Sequence, residues 1–199
     1  MREIVLATRN QHKIEEIAAI LTPNRYQIMT LKNFMDFPEV VEDQDTFAAN
    51  ATKKAQEVAR FANMIALADD SGLVVKALEG APGVYSARFA GEEADDRANN
   101  EKLLHLMKAV PLSERGAYFA CVIAVATPEG QVWTTEGRCY GSVGFSPRGI
   151  HGFGYDSLFI PVGRTESFAE IAAEEKNKIS HRAEALAQIP AILNNIERE

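Results

Sequence analysis

Residues 3 to 68 alternate between two hydrophobic periods, and this alternation restricts the fold more than any other feature of the chain. "EIVLAT" (3–8), "YQIMTL" (26–31) and "MIALA" (64–68) are apolar runs of strand length. Between them lie two stretches whose apolar residues share one helical face. These are Ile14, Ile17, Ala18 and Leu21 in "HKIEEIAAIL" (12–21), and Phe47, Ala51, Ala55, Val58 and Ala62 in "TFAANATKKAQEVARFA" (46–62). The order strand, helix, strand, helix, strand predicts an α/β fold with parallel pairings, because parallel neighbours need a crossover element between them.

The middle of the chain changes character. "SGLVVKAL" (71–78) predicts a further strand, "GAPGVYSARFAG" (80–91) a loop and "DDRANNEKLLHLMKAV" (95–110) a helix. "AYFACVIAVAT" (117–127) and "VWTTEGRCYGSV" (132–143) predict the arms of a long hairpin. "SHRAEALAQIPAILNNIE" (180–197) predicts a helix interrupted near Pro190. No repeat or linker divides the 199 residues, and with 46% hydrophobic residues they can bury a sizeable core. The expectation is one domain over 1–199, a central mixed sheet flanked by helices, in one body or two lobes.

Charge and targeting signals narrow the function. Lys and Arg number 21 against 28 Asp and Glu, a net of −7, which argues against a duplex DNA binder held by phosphate contacts. A local basic pocket for a small anion remains compatible. The apolar run in "MREIVLAT" is too short for a signal peptide, and no stretch approaches a membrane span. The two cysteines, Cys121 and Cys139, lie in strand-like segments outside any C-x-x-C spacing. Buried free thiols in a reducing cytoplasm are expected.

Five stretches can carry chemistry. "ATRNQHK" (7–13) joins a strand end to a helix start, where anions bind in open α/β sheets. Lys13 falls in that helix's first turn, against the macrodipole, so Lys13→Ala is expected to stabilise the ligand-free protein slightly. Thr8 and Asn10 add polar groups there, and the plainer alternative is a solvated loop capped by Asn10. On the second helix Phe47, Asn50 and Lys54 share a face and Lys53 points elsewhere; the plainer alternative is that Lys54 snorkels along its stem. "ADDSGL" (68–73) puts Asp69 and Asp70 side by side at an expected strand end, with Glu42 upstream. Such carboxylates can bind a hard divalent cation or act as a general base, or cap a turn. In "GIHGFGYDSLF" (149–159) Phe153 and Tyr155 can stack on a flat base and Asp156 can accept from its edge. In "EEKNKISHRAEAL" (174–186) Ser180 reads as an N-cap, and His181, Arg182 and Lys176 form a basic cluster in an acidic chain, or a solvated charged surface helix.

Taken together, "ATRNQHK", "FAANATKKA", "ADDSGL", "GAPGVYSARFAG", "GFGYDSLF" and "EEKNKISHR", in this order over residues 5 to 186, closely resemble the inosine triphosphate pyrophosphatase (Ham1-like) family. The resemblance implies an elongated two-lobed α/β fold with an active-site cleft, and a cytoplasmic homodimer. It implies Mg²⁺-dependent hydrolysis of deaminated purine nucleoside triphosphates (ITP, dITP, XTP) to the monophosphate and pyrophosphate, with no nucleic acid or membrane partner. Carried over by motif, Thr8, Arg9, Asn10, Gln11, His12 and Lys13 would hold the triphosphate, helped by Lys54. Asp70 would be general base and metal ligand, Glu42 the second ligand, and Ser71 a substrate contact. Phe153, Gly154, Tyr155 and Asp156 would line the base site, completed by Lys176, His181 and Arg182. The chain departs from the family pattern at Val41, where an acidic residue is usual, which leaves Glu39 and Asp43 as competitors of Glu42. It departs again at Ser157, where proline is usual.

Overall fold

A computed structural model describes residues 2–21, 26–34, 37 and 40–196. Six strands form one sheet in the order β2-β1-β3-β4-β5-β6. They are β1 (Arg2–Leu6), β2 (Tyr26–Thr30), β3 (Ala66–Val75), β4 (Gly116–Ala126), β5 (Val132–Val143) and β6 (Phe159–Pro161). The helices are α1 (Gln11–Ile20), α2 (Phe47–Ala62), α3 (Asp96–Leu106), α4 (Ala173–Ile179), α5 (His181–Leu186) and α6 (Ile189–Ile196). β1 pairs in parallel with both β2 and β3, as the alternating first third requires.

The sequence-based expectation departs from the structure at β3 and in the short elements. β3 is a single ten-residue strand that runs through Asp69, Asp70, Ser71 and Gly72. The polar residues that suggest a turn there are instead accommodated by tertiary partners. The C-terminal helix is interrupted near Pro190 as expected: it breaks at residues 187 and 188, which puts Pro190 in the first turn of α6, where its missing N–H costs no hydrogen bond. β6 and α4 are additional elements. Each is short, and three to seven residues carry too little periodicity to be read.

The chain forms two compact units. The first comprises residues 1–70, 121–137 and 182–199. Its part of the sheet alternates with period 2. Ile4, Leu6, Leu67, Cys121, Ile123 and Val125 face Ile17 of α1 and Ala185, Leu186, Ile189 and Leu193 of α5 and α6. Val5, Ala66, Ala68, Val122, Ala124 and Ala126 face Ala51, Ala55, Val58 and Ala59 of α2. The α2 contact is largely alanine on alanine, which lets helix and sheet backbones approach closely.

The second unit comprises residues 71–120 and 138–181. Its core joins Leu73 and Val75 to Leu103 of α3, to Met107 just after that helix, and to Phe119, Tyr155, Phe159 and Phe168. The Phe119 and Phe159 rings meet edge-on with centroids 4.8 Å apart. Buried Arg115 closes this core. Its guanidinium donates to the carbonyls of Val143, Met107, Val110 and Gly144, so every nitrogen is satisfied without a carboxylate.

Candidate active site

In the first unit the site grows from β3. Successive strand residues point to opposite faces, so Asp69 lies on the α1 face and Asp70 on the α2 face. Both are almost wholly buried.

Asp69 is saturated with donors. Its Oδ2 accepts from Arg182 Nε at 3.0 Å and from the Cys121 thiol at 3.0 Å, and its Oδ1 forms an ion pair with Lys13. Arg182 also pairs through Nη1 with Glu16. Burial pushes the Asp69 carboxyl up, but Arg182 and then Lys13 overcome this and hold it well below the usual carboxylate range. Burial also raises the Cys121 thiol, and the Asp69 charge adds to that, so Cys121 is a neutral donor. Burial and the neighbouring Arg182 lower Lys13, but the charges of Asp69 and Asp70 and the hydrogen bond to Asp69 together outweigh them, so it stays charged.

This corrects two expectations. Lys13 is not merely a misplaced charge at a helix start, because it neutralises a buried carboxylate, and its removal is expected to destabilise. The Arg182 segment is not a solvated surface helix: Arg182 is 1% exposed.

Asp70 is compensated differently. Asn50 Nδ2 donates to Oδ2 at 3.1 Å, and Lys54 Nζ stands 3.8 Å from Oδ1. The same ammonium is 2.6 Å from Glu42 Oε1 and donates to the Asp69 carbonyl at 2.7 Å. Lys54 is therefore anchored inward rather than snorkelling. Burial raises the Asp70 carboxyl; Lys54 and Lys13 oppose this, while Glu42 and Asp69 reinforce it, and the pKa comes out at about 6.

The remaining expected triphosphate residues surround the start of α1. Asn10 caps the helix by accepting from Lys13 N at 3.1 Å, and Thr8 Oγ1 accepts from Asn10 N at 3.2 Å. Arg9 donates to the Phe37 carbonyl and Gln11 to Glu15, while His12 is exposed. Of the competitors of Glu42, Asp43 is exposed and held below its ordinary pKa by hydrogen bonds from Lys53 and Gln44. Glu39 lies outside the described residues.

In the second unit, residues 152–156 form a turn. Gly152 and Gly154 both adopt left-handed backbone, with φ of 73° and 59°. A Cβ on Gly152 would lie 2.0 Å from Asp156 Oδ2, so only glycine fits there. Asp156 accepts from Phe153 N at 3.0 Å and from Lys176 Nζ at 2.5 Å, and that ammonium lies 5.0 Å from the centre of the Phe153 ring. Tyr155 donates to the Ser86 carbonyl, and its phenol is raised by burial and then by Asp96. The His181 ring stacks on Phe119 at 4.7 Å, and Ser180 ends α4 just before α5. Ser71 is half-buried in β3. Its neighbour Gly72 abuts Ser86, whose Oγ accepts from Leu73 N and donates to the Gly83 carbonyl. Ser86 thus gives "GAPGVYSAR" a structural role.

Asn50, already expected on the face of Lys54, joins these groups through Asp70. Glu16 and Cys121 also belong with them and are absent from the sequence-derived site; helical spacing could have found Glu16, three residues after Lys13.

Among the described residues no group of three or more His, Cys, Asp and Glu side chains is arranged to hold a metal. Glu42 and Asp70 supply two hard carboxylates that already share one cation, the Lys54 ammonium. That donor set fits Mg²⁺, which takes one or two protein carboxylates and completes its shell with phosphate and water.

The model of the Ham1 family matches residues 4–192. A protein named dITP/XTP pyrophosphatase from Desulforamulus reducens is 52% identical over 194 residues, 98% of this chain and 96% of that one. One of the same name from Geobacter sulfurreducens is 51% identical over 94% of each. The solved structure of a HAM1 protein from Coxiella burnetii superposes with a TM-score of 0.88 at 38% identity, covering 98% of this chain and all of the other. With motifs, fold and relatives in agreement over nearly its whole length, the chain belongs to the Ham1 family.

Proposed function

We propose that the chain is a single-domain nucleoside triphosphate pyrophosphatase that hydrolyses deaminated, noncanonical purine nucleotides (dITP, ITP and XTP) to the monophosphate and pyrophosphate. The relatives' shared name, dITP/XTP pyrophosphatase, supports this substrate class. The observation that carries the chemistry is Asp70. It is a buried carboxyl with a pKa near 6, beside Glu42 and the Lys54 ammonium. A general base works best when its pKa lies near the operating pH.

Thr8 to Lys13 and Lys54 hold the triphosphate. Ser71 contacts substrate. Phe153, Gly154, Tyr155 and Asp156 take the base, with Lys176 and His181. Arg182, gripped by Asp69 and Glu16, adds its charge and fixed orientation. Asp70 accepts the proton of a water that cleaves the α–β anhydride, and pyrophosphate leaves. Lys13 and Lys54 offset the charge that grows on the leaving group. Glu42 and Asp70 would hold Mg²⁺, which when bound neutralises phosphate charge and acidifies water.

Donors near His181 pair with the 6-carbonyl of hypoxanthine or xanthine and oppose the 6-amino group of adenine. Sites built on such hydrogen bonds can discriminate by roughly 10⁴. The homodimer and the cytoplasmic location belong to the same proposal. Among the described residues no helix is long and apolar enough to cross a membrane.

The test is a panel of ITP, dITP, XTP, GTP and ATP with Mg²⁺, assayed for both products. Expected kcat/KM falls from ITP, dITP and XTP to GTP and then ATP, with pyrophosphate released. Equal use of all five, or release of orthophosphate, would contradict the proposal.

A further inference from the structure

Helix α3 carries none of the residues assigned above, yet it grips the turn proposed to hold the base. Asp96 and Asn100 stand four residues apart, on one face of the helix. Asp96 Oδ2 accepts from Gly154 N at 2.6 Å, and Asn100 Nδ2 donates to Gly154 O at 2.8 Å. One glycine thus has its N–H and its C=O held by two side chains of the same helix.

Gly154 is also one of the two left-handed glycines that flank Phe153. Glycine is free to adopt many backbone conformations, so it holds this one only when its surroundings fix it. Asp156 and Lys176 fix the turn within itself, and Asp96 and Asn100 fix it from α3. Asn100, Phe153, Gly154 and Asp156 line one pocket of about 490 Å³ in the second unit.

Asn100 is 8% exposed, and its Oδ1 is buried and accepts no hydrogen bond. A half-satisfied buried amide costs stability that an apolar side chain of the same size would not. Folding alone therefore does not explain the residue, whereas control of the Gly154 peptide does.

We infer that Asp96 and Asn100 are positioning residues for base recognition. They hold the Gly154 peptide and thereby set the orientation of Phe153. This inference rests on the proposed role of residues 153–156 in holding the base.

The test compares Asn100→Leu, Asp96→Ala, Asp96→Asn and Phe153→Ala in the full chain. The readouts are KM and kcat for dITP, inhibition by inorganic tripolyphosphate (a phosphate-only probe) and thermal melting. Asn100→Leu and Asp96→Ala are each expected to raise KM at least fivefold, with kcat and the tripolyphosphate inhibition constant within twofold of wild type. Asn100→Leu should melt no lower than wild type, and Asp96→Asn, which keeps an acceptor for Gly154 N, should restore KM. An unchanged KM in Asn100→Leu and Asp96→Ala, with a raised KM in Phe153→Ala, overturns the positioning role and leaves the base site standing. An unchanged KM in Phe153→Ala overturns both. Equal weakening of dITP and tripolyphosphate, or a lowered melting temperature in Asn100→Leu, marks general damage and also overturns the inference.

Discussion

The two faces of β3 treat the same chemical group in opposite ways. On the α1 face, Asp69 meets two cations and a thiol and is ionised far below the ordinary range. On the α2 face, one residue further on, Asp70 meets an amide and an ammonium 3.8 Å away, and its pKa rises to about 6. A fully compensated carboxylate ties elements together: Asp69 joins α1, β3, β4 and α5. An under-compensated one can still take a proton or a further cation. Substitutions at the two positions should therefore separate stability from turnover.

The largest effect is expected at the working carboxylate. Asp70→Asn removes base and metal ligand together, and kcat for dITP should fall by about 10³ or more. The fold should survive, because an asparagine oxygen can still accept from Asn50. Turnover near that of the wild type would remove Asp70 from the chemistry.

Asp69→Asn should do the reverse. It leaves Lys13 and Arg182 facing a neutral side chain in the interior. Breaking a buried pair from one side costs roughly 3–5 kcal/mol. Urea titration should show that loss, with a smaller loss of kcat than in Asp70→Asn. A stable Asp69→Asn would mean that Glu16 alone balances the cations.

A third effect depends on pH. The pKa of Asp70 is raised from 3.8 to about 6 on folding, so the native state binds the extra proton and its stability contribution is complete below pH 4. That contribution is lost as pH rises from 4 through 6, and the loss amounts to roughly 3 kcal/mol, because a tenfold change in proton affinity is worth about 1.4 kcal/mol. Without divalent metal, Asp70→Asn should therefore be more stable than wild type at pH 8, and the gap should close below pH 4. A pH-independent gap in denaturant titrations would mean that Asp70 is not destabilised by burial.

The smallest effect is expected at the thiol. Cys121→Ser keeps a donor to Asp69, so stability should change by about 1 kcal/mol or less and kcat should not change. A large loss would show that the thiol's size, not its hydrogen bond, matters on that face.

Much of the fold was legible because it rests on period. The strand–helix alternation of residues 3–68 and the hairpin at 117–143 follow from side chains that repeat every 2 or 3.6 positions. The continuity of β3 was not legible. "DDSG" has the chemistry of a turn, and only partners far along the chain let it extend. The site splits the same way. Asp69, Asp70, Lys13, Lys54 and Arg182 were named from local chemistry and from the family resemblance. Their pairing was hidden, since Arg182 and Asp69 lie 113 positions apart and no period links them. Arg182 therefore read as part of a basic cluster or of a solvated surface helix, with a base-site role from the resemblance, and its ion pairs with Asp69 and Glu16 were not legible.

The difference between the two faces is tested most directly by a carbon-13 carboxyl titration of the wild-type protein without divalent metal. Asp70 should titrate near pH 6, and Asp69 should stay ionised well below the ordinary carboxylate range. Titration of both groups near pH 4, or the reverse order, would contradict the assignment of one structural and one working carboxylate to β3.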